Sequence, residues 1–222
     1  TAKTAEELLR SYPDDPTLHA LLAFALREEP EKAAQAMEAA LAIWNDEPEW
    51  HAFASNMYQD AGDYPKAAAH LEDALRISPK TAHYWQLLGD VKLLEKDYHA
   101  AKDYFGKASD LFPTNPEALD SLAKINQKLG EHQVAIQCWQ KAHQVDPQNP
   151  VYKTSIAESQ LARKEFEQAI ETADQVLFST PGHPDALLII AKAQMQSDKH
   201  AQAIQTIQYA KKIVPDTIPF DL

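Results

Sequence analysis

Small and bulky apolar residues recur along the chain at helical spacing, in two alternating patterns. One pattern is seen in GDYPKAAAHLEDALRISP (62–79), where Ala67, Leu71 and Ala74 fall on one side of a predicted helix. The segment after it, which contains Leu88, carries large apolar residues at similar spacing. Small residues let two helices approach closely, while a bulky residue fills the space between them. The alternation therefore predicts pairs of packed helices.

The two patterns repeat every 34 residues. The first small residue of the second pattern recurs in each period, at Ala33, Ala67, Ala101, Ala135, Ala169 and Ala203. Seven positions later stand Ala40, Ala74, Ala108, Ala142, Val176 and Ala210. Prolines mark the junctions on the same grid, at Pro48, Pro79, Pro113, Pro116, Pro147, Pro150, Pro181, Pro184 and Pro215. Self-similarity at a fixed period indicates a tandem array, with repeats at 14–47, 48–81, 82–115, 116–149, 150–183 and 184–217.

A break between the two helices of each repeat is predicted at its fifteenth and sixteenth positions. The sixteenth is acidic in five repeats, at Glu29, Asp63, Asp97, Glu131 and Glu165. An acid there can cap the second helix or complement the positive end of its dipole.

The third repeat carries the pattern W-x2-L-G, Y-x2-A, F-x2-A and P, at Trp85, Leu88, Gly89, Tyr98, Ala101, Phe105, Ala108 and Pro113. This pattern resembles the tetratricopeptide repeat (TPR), and the resemblance covers 14–217. It implies an all-α fold, a right-handed α-solenoid superhelix of helix-turn-helix repeats with a concave groove lined by the first helices. The departures are Pro30 and Asn45 in the first repeat, and Gln160 and Gln194 where the family usually has tyrosine. We expect them to weaken packing locally.

The two ends fall outside the six repeats. Residues 1–13 are predicted to form a partial repeat or a cap helix, and residues 218–222 a tail. Either Ile218 and Phe220 fold back on the last helix or the chain continues in a larger protein, and we favour the second. An uncapped terminal repeat would expose an apolar face, so self-association is a further expectation.

The charge, the apolar runs and the cysteine count of the chain argue against several classes of protein. With 33 acidic and 21 basic residues and a net charge of −12, the chain lacks the basic character that nucleic-acid binding requires. No apolar run is long enough to predict a membrane span. The single cysteine, Cys138, excludes an internal disulfide and is compatible with a reducing compartment, which favours the cytoplasm.

No catalytic, cofactor or metal site is expected. The sequence contains no HExxH, G-x-S-x-G or phosphate-binding loop motif. His132, Cys138 and His143 share one predicted helix, but their spacing points them in different directions. His183-Pro184-Asp185 matches the loop motif of J-domain co-chaperones, yet it lies at a repeat junction, where coincidence explains it. We therefore predict a binding protein and not an enzyme.

The resemblance implies that the second, fifth, sixth, ninth, twelfth and thirteenth positions of each repeat face the groove. The fifth positions lack the lysine of the chaperone-tail clamp, although Asn56 stands at a ninth position. The sixth positions lack the asparagine ladder of O-GlcNAc transferases. The predicted partner-binding residues are Asn56, Gln59, Asp60, His83, Gln86, Asp90, Asp120, Lys124 and Gln127, with Glu49, Lys128 and Glu158 beside them. These residues could also be ordinary exposed surface.

Two functions follow from this interpretation. The first is a scaffold or adaptor whose groove binds a peptide or partner segment with basic character, because amides can bond a peptide backbone and carboxylates select basic groups. The alternative is a recognition or oligomerisation arm of a larger enzyme or of a secretion or assembly factor.

Overall fold

The computed structural model describes residues 2–213, which contain thirteen α-helices and no strand. The helices are α1 (Ala2–Leu9), α2 (Pro16–Ala25), α3 (Pro30–Ile43), α4 (Pro48–Asp60), α5 (Tyr64–Ile77), α6 (Ala82–Leu94), α7 (Tyr98–Leu111), α8 (Pro116–Lys128), α9 (His132–Val145), α10 (Pro150–Ala162), α11 (Phe166–Ser179), α12 (Pro184–Gln196) and α13 (His200–Ile213). The all-α prediction is confirmed. The segment with Pro215, Ile218 and Phe220 lies outside the described residues.

The chain divides into two compact units, an N-terminal unit of residues 1–112 and a C-terminal unit of residues 113–222. Within each unit, every helix packs on the next one in sequence. In the C-terminal unit, α10 also contacts α12, the next helix of the same kind. The first helix, α1, packs on α2.

The core follows the 34-residue period. Each of the recurring alanines from Ala33 to Ala203, and each small residue seven positions later, is at most 1% exposed. The bulky residues between them include Met37, Leu71, Phe105 and Trp139, all fully buried. Burial of these side chains is the main contribution to folding free energy in such a fold. Trp85 is half-buried and packs against the core of the N-terminal unit, whereas Trp44 is 53% exposed.

The break between paired helices has the same backbone conformation in five of the six repeats. The fifteenth position has positive φ at Gly62, Lys96, Gly130, Lys164 and Asp198. Glycine adopts this left-handed region without the steric cost that a side chain imposes.

The acid at the sixteenth position caps the second helix through its side chain where it is aspartate and not where it is glutamate. Asp63 and Asp97 accept a hydrogen bond from the backbone N–H of Lys66 and Ala100, and so cap α5 and α7. The glutamates at this position make no capping hydrogen bond from the side chain. Side-chain capping is therefore confirmed for aspartate, whereas glutamate, whose longer side chain is not among the preferred N-cap residues, is left with the predicted interaction with the helix dipole.

Candidate functional site

A cavity of about 390 Å³ lies between α10 and α12 in the C-terminal unit. It is lined by Val151, Thr154, Ser155, Glu158, Leu161, His183, Asp185, Leu188, Ile189 and Lys192. Apart from His183, these residues occupy the second, fifth, sixth, ninth and twelfth positions of their 34-residue periods. The family resemblance assigns those positions to the groove, so the cavity forms on the face that the sequence indicates.

The cavity combines an apolar surface with charges of both signs. Leu161 and Leu188 are half-buried and Ile189 is buried, and both Ile189 and Leu161 belong to the core packing of the C-terminal unit. Glu158 and Asp185 are exposed carboxylates, and Lys192 is a half-buried ammonium group. Apolar walls with a few placed polar groups are typical of ligand-binding pockets.

Gln127 of α8 adjoins this cavity. Its amide nitrogen Nε2 lies 3.2 Å from Glu158 Oε2 and 3.3 Å from Ser159 Oγ, and donates to both. A residue predicted from the sequence is thus hydrogen-bonded to a cavity-lining carboxylate. The bond holds Glu158 in place across the pair of first helices α8 and α10.

Asp120 and Lys124, also predicted as groove residues, are bonded to neighbouring side chains. Asp120 Oδ1 accepts a hydrogen bond from the indole Nε1 of buried Trp139 at 2.7 Å. Asp120 Oδ2 pairs with Lys124 Nζ at 2.6 Å. Each carboxylate oxygen therefore has a partner within the protein, and Asp120 connects α8 to α9.

The predicted residues of the N-terminal unit lie on α4 and α6. Asn56, Asp60 and His83 are exposed, whereas Gln59, Gln86 and Asp90 are half-buried. The amide of Gln59 donates to Asn56 Oδ1 at 3.4 Å. Burial raises the pKa of Asp90, and the nearby imidazole of His83 partly offsets that rise.

A broader depression lies on the second-helix side of the C-terminal unit, between α11 and α13. It includes Phe178, which is 93% exposed, and three acids, Glu167, Glu171 and Asp174. This surface has no signal in the sequence, because an apolar residue at a helix end does not follow the helical period. The depression is more open to solvent than the α10–α12 cavity.

Three titratable residues that no sequence pattern groups together have their side chains close to one another in the N-terminal unit. His51, His70 and Asp73 place one potential ligand atom each within 4.8 Å of one another, the one such group of three within residues 2–213. His51 lies on α4, whereas His70 and Asp73 lie on α5, so no local sequence motif contains all three residues.

None of the helices within residues 2–213 is both long enough and apolar enough to span a lipid bilayer.

Comparison with known proteins identifies the repeat. Three family profiles, each described as tetratricopeptide repeat, match residues 25–91, 82–115 and 154–217. Superkiller complex protein 3 of Homo sapiens is 37% identical over 79 residues, which are 36% of this chain and 5% of that protein. Superkiller protein 3 of Schizosaccharomyces pombe is 32% identical over 88 residues, 39% of this chain and 6% of that protein. The chain thus spans a small fraction of the length of these relatives.

Solved structures share the fold at low sequence identity. YrrB, described as a TPR protein with an unusual peptide-binding site, has a TM-score of 0.68 at 20% identity, covering 83% of this chain and 95% of that one. PilF of Pseudomonas aeruginosa has a TM-score of 0.65 at 17% identity, covering 91% and 93%. The recurring buried alanines, the paired helices and the three matching profiles lead to one conclusion: this chain belongs to the tetratricopeptide repeat family.

Proposed function

We propose that the chain is a protein-interaction module that binds an extended segment of a partner protein on the face formed by its first helices. The observation that carries this proposal is the α10–α12 cavity, because its lining comes from the positions that the family resemblance assigns to the groove. The description of YrrB as a TPR protein with a peptide-binding site gives the proposal a precedent in the same fold.

The cavity residues define the segment that would fit. An apolar side chain of the partner would pack against Leu161, Leu188 and Ile189. Glu158 and Asp185 would favour a basic group beside that apolar residue, since opposite charges across an interface select partners. Lys192 can donate to a carbonyl or carboxylate oxygen of the same segment.

The α10–α12 proposal can be tested with a displayed library of random peptides, selected on the immobilised 222-residue chain. We expect the enriched peptides to share an apolar residue next to a basic residue. Leu188→Ala should weaken the binding of the best synthetic peptide about tenfold. Burying a leucine side chain in an interface contributes about 1.5–3 kcal/mol, and the variant removes most of that side chain. Fluorescence anisotropy with labelled peptide measures both affinities.

Phe178→Ala is the matched control, since it removes an exposed apolar side chain from the second-helix side of the same unit. This variant should bind the peptide with unchanged affinity. A peptide whose affinity falls in Phe178→Ala and not in Leu188→Ala would place the binding site on the α11–α13 depression and overturn the proposal.

The predicted residues of α4 and α6 extend the proposal to the N-terminal unit. Asn56 is exposed and Asp90 is half-buried, so both side chains have accessible polar atoms. The double variant Asn56→Ala/Asp90→Ala should weaken the binding of a partner segment to this unit without changing helicity, which circular dichroism measures. An unchanged affinity would remove this unit from the binding surface.

A second proposal is that the chain acts as an arm of a larger assembly. The relatives support it, because the matched stretch makes up only 5% of superkiller complex protein 3, whose name places it in a complex. A full reading frame that extends well beyond this chain, together with co-purification of further subunits through it, would support this role. A protein that is complete and monomeric by light scattering would count against it.

A further inference from the structure

We propose that His51, His70 and Asp73 form a binding site for a divalent transition-metal ion of the zinc class in the N-terminal unit. His51 lies on α4, and His70 and Asp73 lie on α5. The Nδ1 atoms of the two imidazoles are 3.3 Å apart, and a carboxylate oxygen of Asp73 completes a group within 4.8 Å. Both imidazoles are shielded from solvent, since His51 is 4% exposed and the His70 side chain 12% exposed.

The hydrogen bond of His51 fixes which of its nitrogens carries the proton. Its Nε2 lies 3.1 Å from the backbone carbonyl oxygen of Asn45. A carbonyl oxygen can only accept, so Nε2 must be the protonated nitrogen of a neutral ring. The lone pair of His51 is therefore on Nδ1, which faces His70.

The same logic applies to His70. Its Nε2 lies 3.2 Å from Glu38 Oε1, and the same oxygen accepts a hydrogen bond from the hydroxyl group of Tyr58 at 2.9 Å. An ionised carboxylate only accepts, so Nε2 of His70 donates, and in the neutral ring Nδ1 carries the lone pair. Tyr58 stacks on the His70 ring with centroids 5.5 Å apart and holds its plane.

When both rings are neutral, two lone pairs therefore face each other across 3.3 Å, and either a proton on one Nδ1 or a metal ion between them removes this repulsion. Metal-ligating histidines in proteins have this arrangement, with the second ring nitrogen donating to a carbonyl or carboxylate oxygen. The separation also fits a metal, because two nitrogens at 2.0–2.1 Å from a tetrahedral zinc ion lie about 3.3 Å apart. Asp73 would supply the third ligand and water the fourth. Two imidazoles with one carboxylate favour Zn²⁺ or a neighbouring transition metal over Mg²⁺ and Ca²⁺, which prefer oxygen ligands.

The equivalent positions 34 residues later supply an independent comparison. There Trp85, Tyr104 and Lys107 replace His51, His70 and Asp73. The ammonium nitrogen of Lys107 lies 4.3 Å from the centroid of the Trp85 ring and 5.3 Å from that of Tyr104. Both places on the array are therefore built to hold positive charge, by cation–π contact in one repeat and by nitrogen and oxygen ligands in the other.

The surrounding charges are consistent with a bound cation. Glu38 and Asp73 contribute two carboxylates near the imidazoles. Arg76 opposes them, and its guanidinium donates to Asp73 Oδ1 at 3.3 and 3.4 Å, which orients the carboxylate. Because the ligands come from α4 and α5 and their hydrogen-bond partners from α3 and the following loop, metal binding would also stabilise this part of the fold.

The site can be tested by titrating Zn²⁺ into the metal-stripped 222-residue chain in competition with a chromophoric chelator. We expect one zinc ion per chain. His70→Gln and Asp73→Lys should each weaken binding more than about a hundredfold, since each removes a ligand from the ion itself, a larger loss than that of a hydrogen-bond partner. Asp73→Lys places in this repeat the lysine that the next repeat has, and Asp73 is half-buried, so the variant should remain folded.

His99→Ala is the control, because His99 is exposed and lies elsewhere on the N-terminal unit. It should bind zinc as the parent chain does. Nitrogen-15 NMR of the imidazoles should show zinc-dependent shifts at Nδ1 of His51 and His70. Absence of saturable one-to-one binding, or zinc affinity unchanged in both His70→Gln and Asp73→Lys, would overturn the proposal.

Discussion

Asp90 is held half-buried on α6, on the side where the family resemblance places the groove. Burial raises the pKa of its carboxyl group, and His83 opposes that rise. The folded protein thus binds this proton more tightly than the unfolded chain does. Above the raised pKa the ionised carboxylate reduces stability, and below the ordinary value of 3.8 the effect disappears.

Asp90→Asn should therefore raise the free energy of unfolding at pH 7. The gain should shrink as the pH falls toward 3.8, because the parent carboxyl is then protonated in both states. Urea unfolding as a function of pH measures this difference. Asp60→Asn, at an exposed acid on α4, should change stability by less than about 0.5 kcal/mol. A gain for Asp90→Asn that does not vary with pH would contradict the explanation.

Single residues were the hardest to predict from the sequence. The spacing placed Asp120 at a groove position, yet buried Trp139 donates to its carboxylate. Trp139 lies on the next helix, α9, so no local pattern shows that its indole reaches Asp120. His51 and His70 were not grouped, because they come close only when α4 packs on α5. Side-chain partners depend on tertiary contacts, which periodicity does not encode.

At the scale of helices, Gly89 sets how closely α6 approaches α7. A Cβ at this position would lie 2.6 Å from Cε1 of Phe105, whose ring is fully buried. Gly89→Ala should therefore destabilise the protein by about 1–3 kcal/mol, as overpacking does. Thermal or urea unfolding measures the loss.

Gly106→Ala is the matched control in the adjacent helix α7. A Cβ at Gly106 meets nothing within 4 Å, so the variant should stabilise the helix by about 0.5–1 kcal/mol. Gly89→Ala/Phe105→Leu should recover part of the Gly89→Ala loss by making room for the new methyl group. Equal effects of the two glycine variants would contradict the role given to the close contact.

Helices and their breaks were largely predictable, because both depend on local sequence. The period located the recurring buried alanines, and the junction prolines coincide with the first residue of α4, α8, α10 and α12. The left-handed fifteenth position was less visible, because lysine or aspartate replaces glycine at Lys96, Lys164 and Asp198. There the neighbouring helices impose the conformation against local preference.

At the scale of the whole molecule, we propose that a partner segment binds on the face formed by the first helices. The sequence predicted the positions that line this face but not that the cavity would form between α10 and α12. The cavity is lined by Leu161 of α10 and by Leu188 and Ile189 of α12, and the space between those two helices is not specified by the one-dimensional pattern.

Methyl NMR of the C-terminal unit with a library-selected peptide tests whether the partner segment binds in the α10–α12 cavity. We expect intermolecular NOEs from the peptide to the methyl groups of Leu161, Leu188 and Ile189, which line the cavity. The methyl groups of Ile170 and Ile204, on α11 and α13, should show none. NOEs to Ile170 or Ile204 without any to Leu188 or Ile189 would contradict the account.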